Sequence, residues 1–240
     1  MNFNNNNKKI NNEVELNNNK GDFKMQNNIS NEKEILEFIK AIPEKMKYID
    51  NEEQTKISII LPILNMLGVD TTNPSKFQAE YLVQIGARKN TRVDFAILED
   101  TTPTVLIETK SARFNITEKS FEISSGRKHL DQLEDYSNVT ENKISILTNG
   151  LIWMFFGTKE NTTLMDRKPI LTIYTERINN KNALKDVIQL ITELKKIKMS
   201  KEKNTTINQV LKKYSNKGYE KHVRTSYHSA LYSNYVKKNI

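Results

Sequence analysis

Residues 91–110 (TRVDFAILEDTTPTVLIETK) constrain the fold most tightly, because they read as two strands joined by a short polar turn. Val93, Phe95 and Ile97 alternate with Asp94, Ala96 and Leu98. After the turn at 99–103, Val105, Ile107 and Thr109 alternate with Leu106, Glu108 and Lys110. Side chains two apart in a strand share a face, so Glu108 and Lys110 point the same way. A hairpin centred on Thr101 sets Asp94 opposite Glu108, with Cβ atoms roughly 5 Å apart. Two carboxylates that close repel unless positive charge sits between them, and a hard divalent cation with oxygen ligands supplies it. Lys110 then stands beside the ion, where it can position a water or stabilise developing negative charge. The plainer reading of the same residues is a solvated hairpin face with a cross-strand ion pair.

The flanking segments give an order of elements. A helix begins near Ser30, with Ile35, Leu36, Phe38, Ile39 and Ile42 as its apolar face and Pro43 as its end or bend. A second helix covers 51–67, with Glu53, Ile57, Ile60, Leu64 and Leu67 on one stripe, a kink or break at Pro62, and Gly68 as C-cap. That stripe puts Glu53 on the buried side, where an acid needs a cation or a polar site. Glu52 faces away by the same count, and a small rotation exchanges the two. Stabilisation of the helix N-terminus by the acid pair is the competing account. A strand over 76–85 and a basic loop with Arg88, Lys89 and Arg92 lead into the hairpin. A polar loop at 111–121 comes next, then a helix over 122–140 with Gln132 and Tyr136 one turn apart. Strands at 144–148 and 151–156 meet at Asn149-Gly150, a strong hairpin signal. A strand at 170–174 and a helix over 182–198 complete the core.

This order resembles the PD-(D/E)XK nuclease superfamily, with Asp94 on one strand and Glu108-Thr109-Lys110 on the next. Val93 stands where the family's leading Pro is usual. More narrowly, residues 50–157 resemble the N-terminal nuclease domain of type I restriction enzyme R subunits and their stand-alone relatives. The matching pieces are Asn51-Glu-Glu-Gln-Thr-Lys56, Leu61-Pro-Ile-Leu-Asn-Met-Leu-Gly68, Arg92-Val-Asp94, Leu106-Ile-Glu-Thr-Lys110, Gln132-Leu-Glu-Asp-Tyr136 and Ile146-Leu-Thr-Asn-Gly150. The resemblance implies an α/β, restriction-endonuclease-like core: a four-stranded mixed sheet flanked by helices. It also implies hydrolysis of DNA phosphodiesters dependent on Mg²⁺ or Mn²⁺. By the same resemblance Asp94, Glu108 and the Thr109 carbonyl hold the metal, Lys110 orients or activates the attacking water, and Glu53 supports the metal shell. Gln132 and Tyr136 fall on the QxxxY motif that positions substrate. No helicase-like motor is present on this chain, so translocation-dependent restriction would need a partner motor or specificity protein.

The net charge of +8 is uneven. Residues 199–240 hold nine Lys/Arg against Glu202 and Glu220, whereas 31–198 are balanced. The tail therefore reads as a basic helical C-terminal extension beyond a nuclease-like domain at 31–198. Lys212, Lys213, Lys221 and Arg224 are its candidates for salt-dependent contact with phosphates, together with Arg88, Lys89 and Arg92 of the loop. Tyr219, Val223, Tyr227, Leu231 and Tyr235 recur at steps of four, a pattern that packs on the core or a second chain, or stacks on unpaired bases. Residues 1–30 are dominated by Asn and Lys and read as disordered. The chain has no cysteine, which excludes disulfides, thiolate zinc sites and cysteine nucleophiles and suits a cytoplasmic protein. No run reaches the ~18 apolar residues of a membrane span. His129, His222 and His228 are scattered; His129 faces either the cleft or the surface. Three functions compete: a nuclease acting in restriction, defence or repair; a nucleic-acid-binding module that is inactive alone or needs a partner; and a structural protein that pairs through its tyrosine stripe.

Overall fold

The computed structural model describes residues 31–85, 91–116, 124–140, 142, 144–159, 162, 164–196 and 204–215. The Asn-rich tail, Arg88, Lys89, Lys221, Arg224, His222, His228 and the tyrosine stripe beyond residue 215 lie outside them. Helix α1 (Glu32–Lys45) is capped by Asn31, one residue after the expected Ser30; its side chain accepts the Glu34 N–H at 3.0 Å. The helix continues two residues past Pro43 instead of stopping there.

The hairpin forms as the alternation predicts. Strands β2 (Thr91–Glu99) and β3 (Thr102–Thr109) are antiparallel, and Phe95 pairs with Ile107. Asp100 and Thr101 turn the chain with φ of +47° and +70°, the left-handed pair that a two-residue hairpin loop requires. The register shifts between Ile97 and Leu98. The pairing of Phe95 with Ile107, carried one step on, sets Asp94 across from Glu108.

The sheet has six strands, not the four that the resemblance implied. β1 (Phe77–Val83), β2, β3, β4 (Ile144–Thr148), β5 (Ile152–Phe156) and β6 (Leu171–Tyr174) lie side by side in chain order. The outer strands extend the four because β1 pairs along β2 and β6 along β5, satisfying backbone groups that would otherwise be open. Only β3 and β4 are parallel, joined by the crossover helix α4 (Ser124–Thr140), so the sheet is mixed. All five residues of β4 are buried, as expected of a strand covered on both faces. Helix α5 (Lys181–Lys196) contacts α1, and α6 (Asn204–Ser215) contacts α5 and β6. Ile207, Leu211 and Tyr214 of α6 are buried, so this first part of the expected basic extension belongs to the core.

The second helix departs from its sequence reading in a way that shapes the site. It runs as α2 (Glu52–Thr55), a π-helical turn (Lys56–Ile60) and α3 (Leu61–Met66). Pro62 has no N–H to offer the Ser58 carbonyl, and the chain answers with a wider turn in which the Leu61 N–H bonds the Lys56 carbonyl. The buried residues then occur at steps of four: Thr55, Ile59 and Ile63; Lys56, Ile60 and Leu64. Ile57, expected inside, is 60% exposed. Glu53, also expected inside, is 72% exposed.

Candidate active site

The site lies where β3 ends and β2 begins, with Glu52 and Thr55 of α2 reaching Thr109 and Ala112. β3 delivers Glu108 and Thr109. Its pairing with β4 also fixes the backbone at the next residue, because the Lys110 N–H donates to the Thr148 carbonyl at 2.8 Å. The Ala112 N–H then donates to the Thr55 hydroxyl at 2.9 Å, fastening α2 to this loop. Asn149 secures the neighbouring turn. Its side-chain oxygen accepts the Leu151 and Ile152 N–H groups, and its amide donates to the Phe114 carbonyl at 2.8 Å.

Asp94 is fixed at both carboxylate oxygens. Oδ2 accepts the Thr109 N–H at 2.7 Å and the Thr109 hydroxyl at 2.8 Å, while Oδ1 lies 2.7 Å from the Lys56 ammonium. Glu108 is buried and accepts a hydrogen bond from Lys110 Nζ at 2.8 Å. Burial pushes the Glu108 carboxyl up to about 7; the negative charge of Asp94 adds to the shift and Lys110 opposes it. The structure therefore brings Asp94, Glu108, Thr109 and Lys110 together.

Glu53 takes a different place from the one expected. It lies mostly in solvent, and Glu52 turns inward instead, with Oε1 3.7 Å from Lys56 and Oε2 3.9 Å from Lys110. The π turn follows directly after α2. Burial raises the Glu52 pKa, with Lys110 opposing and Asp94 reinforcing the shift. Glu53 still accepts a hydrogen bond from Lys56 at 2.8 Å.

Gln132 donates to the Tyr136 hydroxyl, so the two residues of the QxxxY pair meet. Gln132 is exposed and Tyr136 is buried. Burial raises the Tyr136 pKa, and the negative charges of Glu108 and Asp94 add to the shift. His129 is half-buried, edge-on to Phe114 with ring centroids 5.5 Å apart. Burial lowers its pKa, with Lys110 and Lys128 adding to the effect.

Two participants were not picked out from the sequence. Lys56 is 6% exposed and lies within 4.0 Å of Glu52, Glu53, Glu80 and Asp94. Its position three and four residues after an acid pair was a readable signal. Glu80 on β1 carried none: it is an exposed strand residue whose φ of +51° is visible only in the structure.

The basic residues separate. Arg92 stands on β2 beside the site and donates to the Glu80 carbonyl at 3.2 Å. Lys212 and Lys213 sit on α6 against β6, three strands from β3, roughly 14 Å at the usual strand spacing. Lys213 is bound to Glu193 at 2.7 Å.

Asp94 and Glu108 offer oxygen donors of the kind a hard divalent cation takes, and no thiolate is present. Among the described residues no three carboxylate or imidazole side chains are spaced to hold a metal ion. No helix among the described residues is long and apolar enough to cross a membrane.

Residues 65–170 match the family model described as the type I restriction enzyme R protein N terminus, which agrees with the nuclease-like N-terminal domain that the motifs resemble. The match contains Asp94, Glu108, Lys110, Gln132 and Tyr136; Glu52, Glu53 and Lys56 precede it. No curated protein and no solved structure matches the chain.

Proposed function

We propose that this chain is a metal-dependent nuclease that hydrolyses DNA phosphodiester bonds, in a restriction, defence or repair role. The observation that carries the reading is the meeting of Asp94, Glu108 and Lys110 at one sheet end, inside the segment that matches the restriction-enzyme family. Asp94, Glu108 and the Thr109 backbone would hold Mg²⁺ or Mn²⁺. When bound, such an ion polarises the phosphate and lowers the pKa of a coordinated water. Thr109 keeps the Asp94 carboxylate from rotating, because two of its donors share one oxygen. The Lys110 ammonium, now 2.8 Å from Glu108, orients the attacking water and neutralises charge that builds on the phosphate oxygens. Tyr136 and Gln132 line the route of the substrate, and Arg92 contacts the nucleic-acid backbone.

One observation favours a second reading, a nucleic-acid-binding module that is inactive until a partner acts on it: two lysines already neutralise the acids. A cleavage assay on linear, circular and single-stranded DNA and on RNA, with Mg²⁺ or Mn²⁺, separates the two. The nuclease reading expects cutting that falls by about two orders of magnitude or more in Lys110→Ala and Asp94→Ala, with folding and binding retained. Salt-sensitive binding without cleavage on every substrate favours the module.

A further inference from the structure

His129, Gln132 and Tyr136 stand three and four residues apart on α4, so their side chains leave one face of the helix within roughly 60° of each other. Both ends of that stripe are fixed. At one end Gln132 donates to the Tyr136 hydroxyl, and the phenol also interacts with the hydroxyl of Thr91, the first residue of β2. At the other end the His129 ring meets Phe114 edge-on, with centroids 5.5 Å apart. Phe114 belongs to the loop that leaves Lys110. That loop is held by the Phe114 N–H on the Ser111 carbonyl and by the Asn149 amide on the Phe114 carbonyl. The stripe therefore runs from the start of the Asp94 strand to the loop that follows Lys110.

The polar atoms of the stripe are not equally occupied. Gln132 and Tyr136 bond each other. Among the described residues neither ring nitrogen of His129 has a hydrogen-bond partner, and neither is buried. Packing on Phe114 accounts for the ring and leaves the nitrogens open. Burial holds the imidazole below its ordinary pKa, and the Lys110 charge adds to the effect, so at neutral pH the ring is uncharged. An uncharged imidazole offers one N–H donor and one acceptor nitrogen. A ring already fixed by packing loses little freedom when that donor is used.

We infer that His129 is a third nucleic-acid contact on α4, its N–H donating to a phosphate oxygen of the strand that Gln132 and Tyr136 line. The inference rests on the nucleic-acid substrate of the nuclease reading and needs no bound metal. A neutral ring neutralises no phosphate and releases no counterion. The contact therefore adds affinity without steepening the salt dependence, unlike a contact from Lys or Arg. His129 binds substrate on this account and transfers no proton.

The test measures binding of a short DNA duplex to the full chain in chelating buffer across ionic strengths, for wild type, His129→Gln and His129→Phe. His129→Phe keeps a ring against Phe114 and loses both nitrogens, whereas His129→Gln keeps an N–H. Binding should weaken about 3- to 10-fold in His129→Phe, the loss of one hydrogen bond, with salt slope and melting temperature unchanged and His129→Gln closer to wild type. The wild-type His129 imidazole resonances, assigned by their absence from His129→Gln, should move when the duplex is added; they decide the matter should His129→Phe fail to fold. Unchanged affinity in folded His129→Phe, a shallower salt slope, or resonances that stay in place overturn the inference and leave the nuclease reading standing. A wild type that cleaves DNA with Mg²⁺ but binds none in chelator moves the comparison to KM, where an unchanged His129→Phe also overturns the inference. A wild type that neither binds nor cleaves DNA overturns both.

Discussion

At the scale of single residues, the site is a balance between buried acids and two lysines. Glu108 shows the consequence most clearly. Its carboxyl titrates near 7 in the folded chain, against 4.5 for the free side chain, chiefly because it is buried. The folded state therefore binds this proton more tightly than the unfolded state does. Linkage gives the sign: stability falls as pH rises from about 4.5 to about 7, because the folded state must lose a proton it holds well. The full effect is on the order of 3 kcal/mol. Metal-free protein melted in a chelating buffer should thus lose stability across that window. Glu108→Gln should flatten this part of the curve. A Glu108→Gln profile as steep as wild type would remove Glu108 as the cause. The burial of Lys56 opposes its charge, yet hydrogen bonds to Asp94 and Glu53 outweigh that penalty and hold its pKa above the ordinary lysine value. It stays charged throughout the window.

At the scale of elements, the position of the inward acid depends on a helix that is not an α-helix throughout. The 3.6-residue stripe read from the sequence was right at Ile60 and Leu64 and failed at Glu53 and Ile57. Pro62 signalled an irregularity but not its form: a kink, a break and a π turn all answer the same missing N–H. The strands were easier to read because alternation and turn chemistry agree with each other, as at Asp100-Thr101 and Asn149-Gly150. Gly150 has φ of +79°, and a Cβ there would lie 2.7 Å from Ile59 Cγ2, on the π turn itself. Gly150→Ala should cost about 1–3 kcal/mol. By displacing Ile59 it should also shift Lys56 and reduce cleavage per folded molecule. Thermal melting and specific activity measured together check this; a variant as stable and active as wild type would separate the turn from the site.

At the scale of the whole molecule, α6 packs with the core although its charge groups it with the basic tail. A count of basic residues sets a boundary near residue 198, but α6 buries Ile207, Leu211 and Tyr214 against its neighbours. Net charge reports on partners and solubility and carries no information about which apolar residues pack. The hairpin register and the meeting of Asp94, Glu108 and Lys110 were readable, because they depend on neighbouring segments, whereas the sheet has six strands where four were expected. The part played by Glu80 was not readable, because it depends on the approach of β1 to Lys56, which no local pattern records; for Glu52 and Glu53 the sequence left the choice open to a small rotation. Removal of residues 216–240 takes away Lys217, Lys221, Arg224, Lys237 and Lys238 and leaves α6 intact. The shortened protein should keep its melting temperature and bind DNA with a shallower dependence on salt, checked by titration across ionic strengths. Removal of everything after Lys196 should instead lower the melting temperature, because it uncovers the surface that α6 packs against.

The central claim is that Asp94 and Glu108 form a cation site at the end of β3. Crystals soaked in Mn²⁺ and measured at its absorption edge test it directly. The account predicts one anomalous peak bridging the Asp94 and Glu108 carboxylates, with Lys56 still on Asp94 and the peak absent in Asp94→Ala. Saturating Mn²⁺ that leaves no peak between those two carboxylates, in crystals of a protein that cleaves DNA, would contradict it.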